Sequence, residues 1–403
     1  MRFCLRLCTL FLLPLLTFPA LSVRQSRRAA GGYPGFSAVL SPTLCGEQTK
    51  ELPRTLSAPR QSPPATSAAS MALFDPADGL FLSEHDADAR RPMASTTKIM
   101  TALVILSRCD LEETVTVPPE AVGVEGSSVY LFAGEKMTVR TLLYALLLSS
   151  ANDAAATLAI HCAGSIEAFA GLMNEKAAEL GLADTHFKNP HGLPDPDHYT
   201  TAHDLCRLAA AALGHPTFAE IVATRRYSAP QQGTDATRLF LNHNRLLSNY
   251  EGAVGVKTGF TKTAGRCLVS AARKNGLLLV AVTLSDGNDW RDHAALYDWA
   301  FSEYEAFDPG ALSFSLPVVG GQSESVTVRA EAPAPRTLAR NHPPVSLTVE
   351  APRFLFAGVE AGKSVGWVVY RMGEEELSRV PLLPAESVPA RPKKHFWQRL
   401  FGR

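Results

Sequence analysis

Met93-Ala94-Ser95-Thr96-Thr97-Lys98-Ile99-Met100-Thr101-Ala102-Leu103 is the stretch on which the reading of this 403-residue chain turns. Ile99, Leu103 and Leu106 recur at helical spacing, so a helix is predicted to begin near Ser95. Lys98 follows Ser95 by three positions and therefore shares its face of that helix. A serine hydroxyl is a poor nucleophile until a base takes its proton. A lysine drawn into a dry pocket near other cations loses basicity and can act as that base. A helix start at Ser95 would also aim backbone N–H groups at a developing anion.

Two further strings complete the constellation. Ser150-Ala151-Asn152 supplies a second hydroxyl and an amide, and Lys257-Thr258-Gly259 an ammonium and a hydroxyl. Ser-x-x-Lys, Ser-x-Asn and Lys-Thr-Gly each occur once in the chain, in that order. Any one of them alone is weak evidence, and the joint match is strong. The combination resembles the signature of serine β-lactamases and penicillin-binding proteins.

Around these motifs the pattern is strands at both ends with helices between. Met71–Phe74 and Leu80–Leu82 flank the turn-rich Asp75–Gly79 and predict an antiparallel hairpin. Thr138–Leu148, Ala154–Cys162, Ile166–Leu180 and Ala202–Leu213 read as helices, leaving Ser149–Asp153 as a loop. Val254–Thr258, Cys267–Ala272 and Leu277–Leu284 read as strands, the last two joined by an Asn275-Gly276 turn. A closing helix is predicted over Asp292–Tyr304. This is an α+β layer architecture, an antiparallel sheet covered by helices.

Outside that block the composition changes. Met1–Ser22 reads as a secretory signal, with Arg2 and Arg6 before the apolar Leu10–Leu16 run and small residues at Ala20 and Ser22. Residues 23–66 are rich in Arg, Ser, Pro, Gly and Ala without period and predict a disordered or weakly ordered segment. The expected domains are then a catalytic domain over 67–306, a small β domain over 307–388, and a basic amphipathic tail over 389–403. Short alternating runs such as Val326–Val328 and Val345–Val349 carry the β assignment. In the tail, Phe396, Trp397, Leu400 and Phe401 at helical spacing among Lys393, Lys394, Arg399 and Arg403 suit a membrane surface.

Composition removes other classes. The formal charge is zero and the pI near 7, so nothing favours nucleic acid as a partner. His186, His191, His198 and His203 match no standard metal spacing, and no metal or other cofactor is expected. Cys4 and Cys8 leave with the signal; Cys45, Cys109, Cys162, Cys206 and Cys267 form no framework and read as isolated core residues.

With the motifs in place, Met93–Leu103, Gly255-Val256-Lys257-Thr258-Gly259-Phe260-Thr261 and Phe187-Lys188-Asn189-Pro190-His191-Gly192-Leu193 together resemble the D-alanyl-D-alanine carboxypeptidases. These are low-molecular-mass penicillin-binding proteins of bacterial cell-wall synthesis. The resemblance runs from about Ser70 to the tail. It implies a β-lactamase/transpeptidase-like fold: a five-stranded antiparallel sheet with helices on both faces and a helical subdomain, followed by a small all-β domain.

It also implies roles. Ser95 would be the acylated nucleophile, Lys98 its base and Ser150 a proton relay. Asn152, Lys257 and Thr258 would hold the substrate, with Gly259 admitting its backbone. The N–H groups of Ser95 and Phe260 would form an oxyanion hole, and Arg291 would bind a carboxylate. The implied partners are peptidoglycan stem peptides, β-lactam antibiotics and a membrane surface through the tail. The implied location is exported, extracytoplasmic, and peripheral on the outer face of the cytoplasmic membrane. Ala151 departs from the family, which usually has Gly there, and a methyl is expected to tighten the cleft. The rival serine β-lactamase reading lacks its Glu-x-x-Leu-Asn string, since Arg238 stands three residues before Leu241-Asn242. A non-catalytic wall-peptide binder is a further alternative.

Overall fold

The computed structural model describes residues 59–392 except 233–234, together with two short strands, Arg24–Gln25 and Ala38–Ser41. The signal reading, the core of the amphipathic tail and Cys45 lie outside the described residues. The chain divides into two compact units, one of residues 54–307 with 334–342, the other of 1–53, 308–333 and 343–403.

The larger unit is organised by one five-stranded antiparallel sheet. Its strands are β1 (Ser70–Asp75), β2 (Leu80–His85), β3 (Ala253–Thr261), β4 (Gly265–Lys274) and β5 (Leu277–Leu284), in the spatial order β2-β1-β5-β4-β3. Side chains alternate across a strand, and both faces here are apolar. Ala72, Phe74, Val280, Val282 and Leu284 enter one core; Met71, Leu73, Leu279 and Ala281 enter the other. A sheet with two apolar faces needs helices on both.

They are α1 (Lys98–Arg108), α2 (Val139–Leu148), α3 (Asn152–Ala163), α4 (Ile166–Glu179), α5 (Ala202–Leu213), α6 (Pro216–Ala223) and α7 (Asp289–Glu303). Residues of α1 to α6 contribute to the first core, while Leu296, Tyr297, Trp299 and Ala300 of α7 fill the second. Between α7 and the sheet, His293 is fully buried and reaches Ser270 Oγ at 2.7 Å and Thr283 Oγ1 at 2.9 Å. That pairing satisfies three polar groups that burial would otherwise leave unmade.

Local chemistry sets the ends of these elements. The Thr138, Ser165 and Thr201 hydroxyls accept from backbone N–H groups in the first turns of α2, α4 and α5, satisfying donors that a helix start leaves free. Asn275 and Gly276 both have positive φ, 50° and 85°, as the two-residue turn that suits strand twist requires.

Three parts differ from the sequence expectation. The helix α6 and a hairpin of Arg226–Pro230 with Thr237–Leu241 were not anticipated. The chain also returns to the larger unit at 334–342 after leaving it at 307. There Arg336–Ala339 pairs with Tyr304–Phe307, and the Arg336 guanidinium meets the buried Asp78 carboxylate at 2.6 Å. Finally, the segment read as weakly ordered supplies Arg24–Gln25 and Ala38–Ser41 as strands of the second unit.

The second unit is an eight-stranded sheet. Alternation of buried with half-buried or exposed residues over Leu312–Val319 and Ser325–Ala330 gives it one core-facing side.

Candidate active site

Ser95 sits in a single 3₁₀ turn, Ala94–Thr97, that runs directly into α1. In a 3₁₀ turn residues i and i+3 eclipse, which stacks Lys98 over Ser95. The turn is entered through Ala94 at φ 48°, a left-handed conformation for a residue with a side chain. Two glycines press against it. A Cβ on Gly192 would stand 1.9 Å from Ala94 O, and one on Gly259 would stand 3.1 Å from Ser95 N. Any larger residue at either position would move the serine.

Lys98 is fully buried. Its Nζ lies 2.9 Å from Ser95 Oγ, 2.7 Å from Asn152 Oδ1 and 2.7 Å from the carbonyl of His191. A lysine nitrogen has three hydrogens when charged and two when neutral. In the neutral form Asn152 and His191 engage both N–H bonds. The remaining lone pair is then directed at Ser95 Oγ, the geometry of a general base.

Electrostatics favour that form. Burial holds the Lys98 ammonium well below its ordinary basicity, the nearby Lys257 lowers it further, and only Asp153 acts in the other direction. Lys257 is itself buried, its Nζ donating to Thr258 O at 2.9 Å, and burial alone brings it down to about 7. Two ammoniums in one dry pocket oppose each other's charge.

Asn152 opens α3, and its backbone N–H donates to Ser127 O at 2.7 Å. The next residue, Asp153, ties down the loop in front of it. Its buried carboxylate accepts from Ser128 Oγ at 2.6 Å, Leu131 N at 3.0 Å, Ala154 N at 2.9 Å and, longer, from Val129 N at 3.2 Å. Sequence reasoning did not single out Asp153, nor the His191 carbonyl. In the sequence, the Phe187–Leu193 string carries a resemblance but no signal for this contact.

The remaining candidates fall as follows. Ser150 is buried between α2 and α3 with φ 59°. Lys257, Thr258, Gly259 and Phe260 lie on β3, the outer strand of the sheet, with Phe260 paired to Arg266 and its ring exposed. Arg291 stands exposed on the first turn of α7 and is not part of the Lys98 hydrogen-bond network.

The four histidines have polar partners. His198 accepts from Lys188 N through Nδ1, so Nε2 carries the proton and donates to Thr97 Oγ1 at 2.7 Å. His186 Nδ1 meets Asp197 O, and His203 bridges Asp88 and Glu84. Arg238, which stands in place of the β-lactamase glutamate, pairs with the buried Glu135 at 2.7 Å.

The peptidase S11 family, described as D-alanyl-D-alanine carboxypeptidase, matches residues 57–288. The chain belongs to the D-alanyl-D-alanine carboxypeptidases. It is a serine-type DD-carboxypeptidase, a hydrolase, and the β-lactamase and non-catalytic readings are not favoured. It is 31% identical over 382 residues to the D-alanyl-D-alanine carboxypeptidase DacC of Escherichia coli, covering 89% of this chain and 91% of that one. The structure of penicillin-binding protein 5 from Haemophilus influenzae superposes with a TM-score of 0.63 at 26% identity, covering 82% of this chain and 99% of that one. The Streptomyces K15 DD-transpeptidase superposes with a TM-score of 0.57 at 35% identity, covering 60% and 99%. The β-lactamase/transpeptidase-type fold and the separate all-β part of this carboxypeptidase are those its sequence implied.

Proposed function

We propose that this carboxypeptidase removes the terminal D-alanine of peptidoglycan stem peptides through an acyl-enzyme on Ser95. Ser95 Oγ gives its proton to Lys98 as it attacks the carbonyl of the penultimate D-alanine. Lys98 returns that proton toward the departing D-alanine nitrogen through Ser150. Water then cleaves the acyl–Ser95 ester, with Lys98 again taking a proton. The observation that carries this reading is the buried Lys98 amine, bonded at once to Ser95 Oγ, Asn152 Oδ1 and His191 O.

The substrate runs along β3, the edge strand of the sheet, as an added strand. Asn152 holds its amide, Lys257 and Thr258 its carboxylate, and the Ser95 and Phe260 N–H groups receive the oxyanion. Arg291 is an outer, solvent-side attractor for the same carboxylate. β-Lactams acylate Ser95 as substrate mimics. Transfer to an amine instead of water uses the same residues.

The enzyme works outside the cytoplasm, after loss of the first 22 residues, with the 389–403 tail lying on the outer face of the cytoplasmic membrane. The basic and aromatic residues of the tail support this; membrane association that survives deletion of Pro392–Arg403 would refute it.

The deciding assay is D-alanine release from a peptide ending in Lys-D-Ala-D-Ala, with penicillin-treated enzyme as control. Release that penicillin and Ser95→Ala both abolish is the expected result. Absence of release together with rapid benzylpenicillin hydrolysis would overturn the reading.

A further inference from the structure

We propose that Cys109 and Cys162 form an intramolecular disulfide tying together the far ends of α1 and α3. The two helices have 11 and 12 residues and pack against each other. Their first residues, Lys98 and Asn152, are joined by a 2.7 Å hydrogen bond. Their far ends come together as well: His161, in the last turn of α3, reaches Glu113, four residues past the C-cap of α1, at 3.3 Å. Cys109 is the C-cap of α1, and Cys162 lies in the last turn of α3.

The thiols lie close there. Both are half-buried, both pack on the same apolar core, and each acts on the other's ionisation. They are therefore not the isolated core residues expected from sequence. A disulfide needs its sulfurs at about 2.05 Å, an approach that side-chain rotation at two adjoining helix ends can make. Cys206 and Cys267 differ: both are buried, face backbone carbonyls, and burial pushes both thiols up. They remain thiols.

The pair is also asymmetric in the sense that exchange requires. Cys109, with help from Arg108, brings the Cys162 thiol down to about 7, while Cys162 and burial raise Cys109. The Cys162 thiolate attacks one sulfur of an external disulfide, either glutathione disulfide or an exchange oxidoreductase, and expels one thiolate. Cys109 loses its proton to water and attacks Cys162 Sγ in the mixed disulfide, expelling the second thiolate. Two protein thiols are oxidised by two electrons, and one external disulfide is reduced to two thiols.

The test uses the full chain held in oxidised glutathione or in dithiothreitol, then alkylated, digested and mapped by mass spectrometry. The expected result is a Cys109–Cys162 linked peptide only in the oxidised sample, with Cys206 and Cys267 alkylated after unfolding. Closing this loop should raise Tm by about 5–15 °C. Cys109→Ser and Cys162→Ser should each remove that difference while retaining penicillin acylation. Separate alkylation of both thiols, a stable glutathione adduct on Cys162, or linkage of either to Cys45 would overturn the proposal.

Discussion

The Nζ of Lys98 and the backbone carbonyl of His191 lie 2.7 Å apart, and this contact commits one N–H of the amine to a group that no side-chain substitution can remove. It depends on the close seat of Gly192, whose φ is 90°.

Gly192→Ala should therefore be severe. The new methyl would fall 1.9 Å from Ala94 O at a φ that alanine disfavours. A loss of about 2–4 kcal/mol is expected, with penicillin acylation slowed at least about tenfold. Thermal unfolding and acylation kinetics measure the two effects. A variant with wild-type values for both would mean that the His191 carbonyl is not held by this packing.

Asp153→Asn separates two effects of one carboxylate. The amide replaces an acceptor oxygen with a donor facing the Val129 and Leu131 N–H groups, so the loop loosens and kcat/KM should fall about 10- to 100-fold. Asp153 also raises Lys98 against burial and Lys257. Losing the anion makes Lys98 easier to deprotonate, so the acid limb of the pH–kcat/KM profile should move to lower pH. A limb that stays put would assign Asp153 to loop architecture alone.

Lys257→Met should trade activity for stability. Lys257 is ordinarily protonated up to about 10.5 but in the fold only to about 7. Between those values the unfolded chain binds a proton that the folded chain does not, so wild-type stability rises with pH across that window. Below it both states bind the proton, and the whole cost of burying the ammonium, about 3–5 kcal/mol, remains. At pH 7 the methionine variant should be inactive yet melt higher, and its advantage should shrink toward pH 10.5. Equal melting curves across that range would show that the Lys257 charge is better solvated than its burial implies.

Ala151→Gly tests the departure within the second motif. Ala151 is fully buried, has an ordinary φ of −64°, and its methyl belongs to the apolar core. It was expected to tighten the cleft; its place in the core gives it a packing role instead. The glycine variant should lose about 1–2 kcal/mol and keep kcat/KM within a few-fold. A large gain in acylation rate would restore the cleft interpretation.

What could be read from sequence was whatever local spacing encodes. Ser95 and Lys98 are three residues apart, and that spacing alone places them together on a turn. Unbroken apolar runs and helical patterns gave the sheet and its cover because both faces of β1 and β5 are apolar. The His191 contact was illegible because it is made by a main-chain oxygen, common to every residue type. Arg336–Ala339 lies beyond the expected 307 boundary yet belongs to the larger unit because it pairs with Tyr304–Phe307 and meets the buried Asp78, long-range contacts that local spacing does not encode. The nearness of Cys109 and Cys162 depends on how α1 and α3 pack, which no spacing rule encodes.

Lys98 and Asn152 are each the first residue of a helix. Helix starts carry partial positive charge, so two of them converge on an amine that already faces Lys257. Water is largely excluded from all three, and their field is correspondingly little screened. The pocket thus stores positive potential without holding a full complement of protons, and an anionic chain end entering it supplies the missing counter-charge. Capture of a carboxylate-bearing ligand is then a long-range event, faster at low ionic strength and slower as salt shortens the reach of that field.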